Sequence, residues 1–179
     1  MYCRLLFGLL AAAFEGSAAT SDVCDVLLNL DEFNGRVVVI RGILGIGHTG
    51  QQITSDHPCT QPVIRQGWQW REALELYVRP GGGAISAVLP RYRSLARANV
   101  GYYIVGTVTG ILTVPAQYSV QDLDYSGSQR PIGFHGSAVG ALLVKRIDDL
   151  EPKAFAPSVE EWLLELFRRP DATRPRPTH

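Results

Sequence analysis

The side chains of this chain that could do chemistry are its three cysteines and four histidines. Several lie close together in the sequence, where Asp56-His57-Pro58-Cys59 follows His48. Together with Cys24 they offer thiolate and imidazole groups, which are ligands that zinc prefers. Structural zinc sites usually contain closely paired ligands such as C-x2-C, and these ligands are scattered. A zinc site formed by Cys24, His48, His57 and Cys59 therefore competes with a simple disulfide between the two cysteines.

Catalysis is the second chemistry that these residues suggest, as a metal-assisted hydrolase using His48, Asp56, His57 and His135. A catalytic metal site needs three converging protein ligands and one open coordination position. The chain contains neither the H-E-x-x-H spacing of zinc proteases nor the G-x-S-x-G turn of serine hydrolases. Each histidine is explained more simply as a polar loop residue. The sequence therefore favours a protein with no catalytic residue, no resident metal and no cofactor, and the hydrolase remains the alternative.

The first nineteen residues, MYCRLLFGLLAAAFEGSAA, have the layout of a secretory signal peptide. One cation, Arg4, precedes an apolar run from Leu5 to Phe14, and small residues that fit a cleavage site follow. The apolar run is too short to span a hydrocarbon core, which needs roughly 20 residues. The leader predicts export to the periplasm or the extracellular space, with no transmembrane segment after cleavage.

Export favours one of the two interpretations of the cysteines. Cleavage removes Cys3 and leaves Cys24 and Cys59 as an even pair in an oxidising compartment, where a disulfide is the simplest outcome. Such a bridge would stabilise the fold by roughly 3–4 kcal/mol. The disulfide is favoured over zinc, which stays open as the alternative.

The charge balance argues against nucleic acid as a partner. Lys and Arg total 17, as do Asp and Glu, and cleavage removes one charge of each sign. Non-specific binding to nucleic acid depends on many phosphate contacts by Lys and Arg, which a neutral chain does not favour. A local basic stretch contains Arg65, Arg71, Arg79, Arg91, Arg93 and Arg97. It predicts a solvated face, with an anion-binding groove as the alternative.

The mature chain has the length of one domain, predicted as a barrel over residues 20–151, an amphipathic helix over 152–169 and a disordered tail over 170–179. Hydrophobic and β-branched patterns predict the elements within it. The predicted strands are 36–46, 51–55, 74–79, 101–114 and 138–147, and the predicted helices are 23–28, 86–98 and 158–169. Residues 60–69 and 115–136 are predicted to be irregular. Pro90 either disturbs the first turn of the second helix or begins that helix as its first residue. Ser158 with Glu161 forms a capping box for the third helix.

Internal glycines indicate how the strands assemble. Gly42, Gly106 and Gly140 each lie inside a predicted strand, where glycine is unfavourable unless the strand bends sharply. Strands of a small closed barrel must coil in this way. The order of three strands, a helix and two strands is that of the OB-fold. The predicted fold is mainly β with α: an OB-like five-stranded barrel with a helix between strands 3 and 4, and short N- and C-terminal helices.

Three motifs resemble a group of exported bacterial OB-like domains of unassigned function. They are Val23-Cys24-Asp25-Val26-Leu27, the strand Phe33-Asn34-Gly35-Arg36-Val37-Val38-Val39-Ile40-Arg41-Gly42, and His57-Pro58-Cys59. In that group a Gly-aromatic-Gly-His turn precedes the last strand, which ends near an acidic pair. Here Gly133-Phe134-His135-Gly136 transposes the glycine and histidine, and Asp148-Asp149 is the acidic pair. The resemblance implies the fold and a disulfide, and no activity.

Four aromatic residues are the candidate ligand-binding positions. OB barrels bind oligonucleotides and oligosaccharides around strands two and three, and Trp68, Trp70, Tyr77 and Tyr92 lie near those segments. Trp68 and Trp70 share one side of a polar extended stretch, so partial exposure is expected, whereas Tyr77 and Tyr92 are expected in the core. The predicted function is a non-catalytic binding or structural module of the cell envelope or secretome, whose partner is a protein, peptide or glycan.

Overall fold

A computed structural model describes residues 19–46, 50–78, 83–123, 128–132, 138–154, 157–168 and 172–173. Residues 1–18 of the predicted signal peptide, His48 and His135 lie outside this part of the chain. The described elements are β1 (Thr20–Asp22), α1 (Val23–Leu28), α2 (Leu30–Phe33), β2 (Val37–Ile46), β3 (Gln51–Thr54), β4 (Val63–Arg65), β5 (Trp68–Trp70), β6 (Ala73–Tyr77), α3 (Ala84–Ala98), β7 (Tyr102–Thr113), β8 (Ser119–Leu123), β9 (Ser128–Ile132), β10 (Ala141–Ala154), α4 (Pro157–Arg168) and β11 (Ala172–Thr173). No helix among the described residues is long and apolar enough to cross a membrane.

Five strands close into a barrel. β2 pairs with β3, β3 with β6, β6 with β10 and β10 with β7, and the circle is completed because β7 also pairs with β2. All of these pairings are antiparallel except β6 with β10, which is parallel. The prediction of a mainly β protein with a closed five-stranded barrel is confirmed, and four helices accompany the barrel in the described part.

Apolar side chains fill the barrel. Its strands are rich in Val, Ile and Leu, which suit a pleated surface that is buried on one side. Fully buried members of this core include Ile40, Ile53, Leu74, Val108, Leu112 and Leu142, one or more from each barrel strand. The interior is therefore a packed core, and a ligand of the described barrel must bind to its outside.

Two glycines allow the closing strands to approach their neighbours. Gly42 of β2 lies directly opposite Gly106 of β7 in the pairing that completes the barrel. A Cβ atom at Gly42 would lie 2.4 Å from the backbone oxygen of Thr54 and 2.8 Å from a methyl group of Val23. The Thr54 oxygen belongs to the backbone and cannot move aside unless the strand β3 shifts. A side chain at position 42 would therefore strain the barrel.

Substitution of Gly42 by alanine is expected to lower the free energy of unfolding by about 1–3 kcal/mol, the usual cost of overpacking a core. Gly45→Ala is the matched control, because it lies in the same strand and its Cβ would meet only the flexible side chain of Gln52, at 3.2 Å. We expect the control to stay within about 0.5 kcal/mol of the parent protein. Urea unfolding followed by circular dichroism measures both variants, and equal stabilities would contradict the argument.

Two hairpins occupy segments that the sequence predicts to be irregular. In residues 60–69, β4 pairs with β5 across Gln66 and Gly67, which have φ of 50° and 75°. Positive φ at both turn positions matches the twist of a two-residue hairpin. In residues 115–136, β8 pairs with β9. Both predictions of irregular structure are wrong. Within the predicted tail, Ala172–Thr173 pair with β5 as β11, and the rest of residues 170–179 lies outside the described part.

Helices α1, α3 and α4 overlap the predicted helices, α3 and α4 with earlier first residues, whereas α2 is not predicted. α1 spans Val23–Leu28, and Asp22 caps it by accepting a hydrogen bond from the Cys24 amide at 2.7 Å. α3 begins at Ala84, two residues before the prediction, so Pro90 lies inside it and not in its first turn. Pro90 removes the amide that would bond to the carbonyl of Ser86, and both residues are exposed, so water can satisfy that carbonyl. α4 begins at Pro157, one residue before the predicted cap Ser158.

The amphipathic C-terminal helix packs on the barrel. Leu163 and Leu166 of α4 are buried against Ile43, Tyr103 and Val105. These barrel residues belong to β2 and β7, on the outer face of the closing pair. The helix therefore covers this part of the barrel exterior.

Candidate functional site

Cys24 and Cys59 form a disulfide, as predicted, with an S–S distance of 2.07 Å and a Cα–Cα distance of 5.3 Å. The bond joins α1 to the loop that follows β3. Cys24 is buried, and Cys59 is partly buried against the barrel core. The disulfide therefore fastens the N-terminal helix to the end of the barrel.

Polar side chains converge on one side of this disulfide. The hydroxyl of Ser55 lies 3.4 Å from Asp22 Oδ2 and 3.1 Å from His57 Nδ1. The other ring nitrogen, His57 Nε2, lies 3.9 Å from Asp22 Oδ1. Asp22 belongs to the N-terminal segment and the other two residues to the loop after β3, so these contacts reinforce the junction that the disulfide makes.

A second carboxylate orients the histidine from the solvent side. Asp56 Oδ1 lies 3.0 Å from His57 Nδ1, and Asp56 Oδ2 accepts a hydrogen bond of 2.8 Å from Lys153 Nζ at the end of β10. The bond from Lys153, with a smaller contribution from His57, lowers the pKa of Asp56, and the same bond raises the pKa of Lys153. The last barrel strand thus holds the loop that carries His57.

A buried glutamate, Glu72, holds the same loop through hydrogen bonds. Glu72 Oε2 accepts a hydrogen bond of 2.9 Å from the amide of Cys59, and the Glu72 carbonyl accepts one of 2.6 Å from the hydroxyl of Thr54. Glu72 and Thr54 are both buried. The backbone on each side of His57 is therefore held in place by groups that are shielded from water.

The Ser55, His57 and Asp56 contacts do not form a hydrolytic triad. In such a triad the imidazole bonds the serine through one nitrogen and the carboxylate through the other. Here both partners contact the same nitrogen, Nδ1. Ser55 is also fully buried, with no exposed surface from which to attack a substrate. The cluster can orient His57 Nε2, and it supplies no nucleophile.

Of the four aromatic candidates, the two tryptophans are placed otherwise than expected. Trp68 is 9% exposed and Trp70 is 3% exposed, so the prediction of partial exposure is wrong. Trp70 donates a hydrogen bond of 3.3 Å from Nε1 to the Arg65 carbonyl, and its ring centroid lies 4.4 Å from that of Tyr118. The two tryptophans share one side of β5, as the spacing indicates, and that side faces the core.

The two tyrosines are partly buried. Tyr92 of α3 packs against the core, and its hydroxyl donates a hydrogen bond of 3.0 Å to the Leu44 carbonyl. Tyr77 of β6 is partly exposed, on the outward side of that strand together with Glu75, so the prediction that it lies in the core is wrong. Gln52 lies opposite Glu75 on β3 and is also partly exposed. We call Gln52, Glu75 and Tyr77 the polar strip.

The basic stretch is divided in the structure. Arg65 forms a salt bridge of 2.7 Å with Asp31, and Arg91 donates a hydrogen bond to the Leu150 carbonyl. Arg93 and Arg97, one helical turn apart on α3, line an open surface groove of about 610 Å³. The stretch is therefore not one continuous cationic surface in the described part.

Sequence reasoning found the cysteines, Asp56 and His57, and it missed Ser55, Lys153 and the role of Asp22 beside the imidazole. His48 and His135 fall outside the described residues, so the hydrolase alternative that uses them stays a prediction. The sequence carries no signal of the contact between Asp22 and His57, because the distance between them depends on the tertiary fold. A comparison of the chain with protein-family models, curated proteins and solved structures finds no match.

Proposed function

We propose that this protein is an exported, non-catalytic binding module with an OB-like barrel. The order of the barrel strands carries the proposal. Three antiparallel strands, β2, β3 and β6, are followed along the chain by α3, and β7 then lies between β10 and β2 in the closed sheet. A five-stranded Greek-key barrel of this kind is the OB architecture. The leader and the disulfide support an exported location, because disulfides persist in oxidising compartments.

The polar strip is the proposed ligand surface. OB barrels bind their ligands on the face of strands two and three, which correspond here to β3 and β6. Gln52 supplies hydrogen-bonding groups, and the ring of Tyr77 supplies a flat surface beside it. Glu75, whose Oε2 atom is buried, lies opposite Gln52. Gly45 of β2 lies opposite Gln52 and adds no side chain to the strip. A glycan, which needs hydrogen bonds and a stacking surface, fits this strip better than an apolar ligand.

Binding to an array of oligosaccharides tests the proposal. We expect the wild-type protein to retain at least one oligosaccharide, and we expect Gln52→Ala with Tyr77→Ala to weaken that binding at least tenfold. Truncation of one of the few residues that dominate an interface costs about 2 kcal/mol or more, and about 1.4 kcal/mol corresponds to a factor of ten. The affinity for the best array ligand is then measured by titration calorimetry.

The matched control is Gln61→Ala with Tyr102→Ala, since both residues are exposed and neither lies in the polar strip. It is expected to bind like the wild type, and both double variants should retain the wild-type circular dichroism spectrum. The protein is expressed with its own leader and recovered from the exported fraction, so that its recovery there tests the export part. Failure to bind any oligosaccharide, or equal binding by the two double variants, would contradict the glycan surface.

A further inference from the structure

The groups around the disulfide have the composition and spacing of a zinc site. The ligand atoms of Asp22, Cys24 and His57 all lie within 4.8 Å of one another, and Cys59 is bonded to Cys24. Neighbouring ligands of tetrahedral zinc are separated by about 3.3–3.8 Å, given bonds of about 2.0–2.3 Å. The 3.9 Å between His57 Nε2 and Asp22 Oδ1 is close to that separation. In the oxidised protein the bond between the two sulfurs keeps Cys24 and Cys59 from acting as thiolate ligands.

We propose that reduction of the Cys24–Cys59 bond converts this cluster into a site for one Zn²⁺ ion, held by Cys24, Cys59, His57 and Asp22. A dithiol reductant supplies two electrons and two protons, breaks the S–S bond and becomes a disulfide itself. Zinc then displaces the two thiol protons and binds both thiolates. The side chain of His57 is 55% exposed, so the ion can enter from solvent.

The surroundings are those of a prepared metal site. A histidine that binds metal through one nitrogen usually bonds through the other to a carboxylate, which orients the ring. His57 Nδ1 contacts Asp56, which Lys153 holds, and Nε2 is left pointing toward Asp22. Ser55 reaches the second oxygen of Asp22. The backbone amide of Cys59 donates a hydrogen bond to Glu72, so the backbone that carries the Cys59 thiolate is also fixed.

Metal binding by the oxidised and reduced protein tests the proposal. The full chain is reduced with a phosphine under nitrogen, freed of phosphine by gel filtration, and titrated with Zn²⁺ and separately with Co²⁺. We expect one zinc per reduced chain and none per oxidised chain. The cobalt form should show thiolate charge-transfer absorption and the visible bands of tetrahedral Co²⁺, and zinc should raise the melting temperature of the reduced protein.

Asp22→Asn and Asp31→Asn form the matched pair. Asparagine still caps α1, so Asp22→Asn removes a metal ligand and keeps the helix cap, and we expect at least a tenfold loss of zinc affinity. Asp31 lies in α2 and pairs with Arg65, so its variant should bind zinc like the wild type. Asp56→Asn should weaken binding by about 10–100-fold, as the loss of an outer carboxylate does.

The proposal is overturned if the reduced wild type binds no more zinc than Cys24→Ala with Cys59→Ala. It is overturned equally if Asp22→Asn and Asp31→Asn bind zinc alike, because Asp22 is then not a ligand. The cobalt spectrum reports the ligands directly, so it decides the question even if the reduced protein is unfolded before metal is added. Zinc bound by the oxidised protein would also contradict the proposal, because the thiolates are then not required.

Discussion

Replacement of Trp70 by alanine is expected to lower the free energy of unfolding by about 3–5 kcal/mol, the usual cost of removing a buried tryptophan. Three contributions are lost together: the Nε1 hydrogen bond to the Arg65 carbonyl, the ring contact with Tyr118, and the burial of the indole in the core. The Tyr118 hydroxyl donates to the Val139 carbonyl at 2.6 Å, so its ring cannot easily move into the cavity.

Urea unfolding monitored by far-ultraviolet circular dichroism gives this difference without relying on tryptophan fluorescence. Ile64→Ala is the matched control, because Ile64 lies in the neighbouring strand β4 and is 55% exposed. It should change stability by no more than about 0.5 kcal/mol. The loss of stability in Trp70→Phe should lie between those of Trp70→Ala and Ile64→Ala, since phenylalanine keeps an aromatic ring and lacks the hydrogen bond. A loss below about 1 kcal/mol for Trp70→Ala would show that the ring is not part of the core.

Removal of the disulfide has the second largest expected effect. Cys24→Ala with Cys59→Ala should lower the free energy of unfolding by about 3–4 kcal/mol, because the open chain regains the entropy of a loop whose ends are 35 residues apart. For a chain of this size the melting temperature should fall by roughly 10 °C. Alanine is chosen since Cys24 is buried, where a serine hydroxyl would add an unrelated cost.

Reduction of the wild-type protein provides the control for this double variant. In a metal-free buffer that contains a dithiol, the wild type should melt at nearly the same temperature as the variant, because both lack the same bond. A variant that melts within about 2 °C of the oxidised wild type would contradict the loop-closure argument. Differential scanning calorimetry under both conditions gives the two temperatures in one experiment.

The long barrel strands could be predicted because a run of β-branched residues over many positions indicates a strand. β2 and β7 are runs of this kind, and their bounds differ from the prediction by one residue at each affected end. The hairpin of β4 and β5 could not be predicted in this way. Each of its strands has three residues, which is too short for a period to be recognised, and Gln66 is not a residue that normally signals positive φ.

Burial was harder to predict than position. Because side chains alternate between the two faces of a strand, Trp68 and Trp70 lie on the same face of β5. This alternation does not indicate which face is buried against the core. The polar residues between and around them suggested solvent, whereas the structure covers this side with Tyr118 and the core. The same limit applies to the cluster beside the disulfide, where Lys153 lies 97 residues from its partner Asp56. Only tertiary folding brings such groups together.

The position of the cystine along the chain has a consequence for the order of folding. The loop between Cys24 and Cys59 contains β2 and β3, whereas β6, β7 and β10, which complete the barrel, all follow Cys59. The two thiols can therefore meet when only one barrel hairpin exists, and oxidation does not have to wait for the late, long-range pairing of β2 with β7. Closure is the slow event in such a topology, because pairing strands distant in sequence requires large loops to be ordered first. A cystine formed early would hold the N-terminal helix and the first hairpin together while the remaining strands arrive.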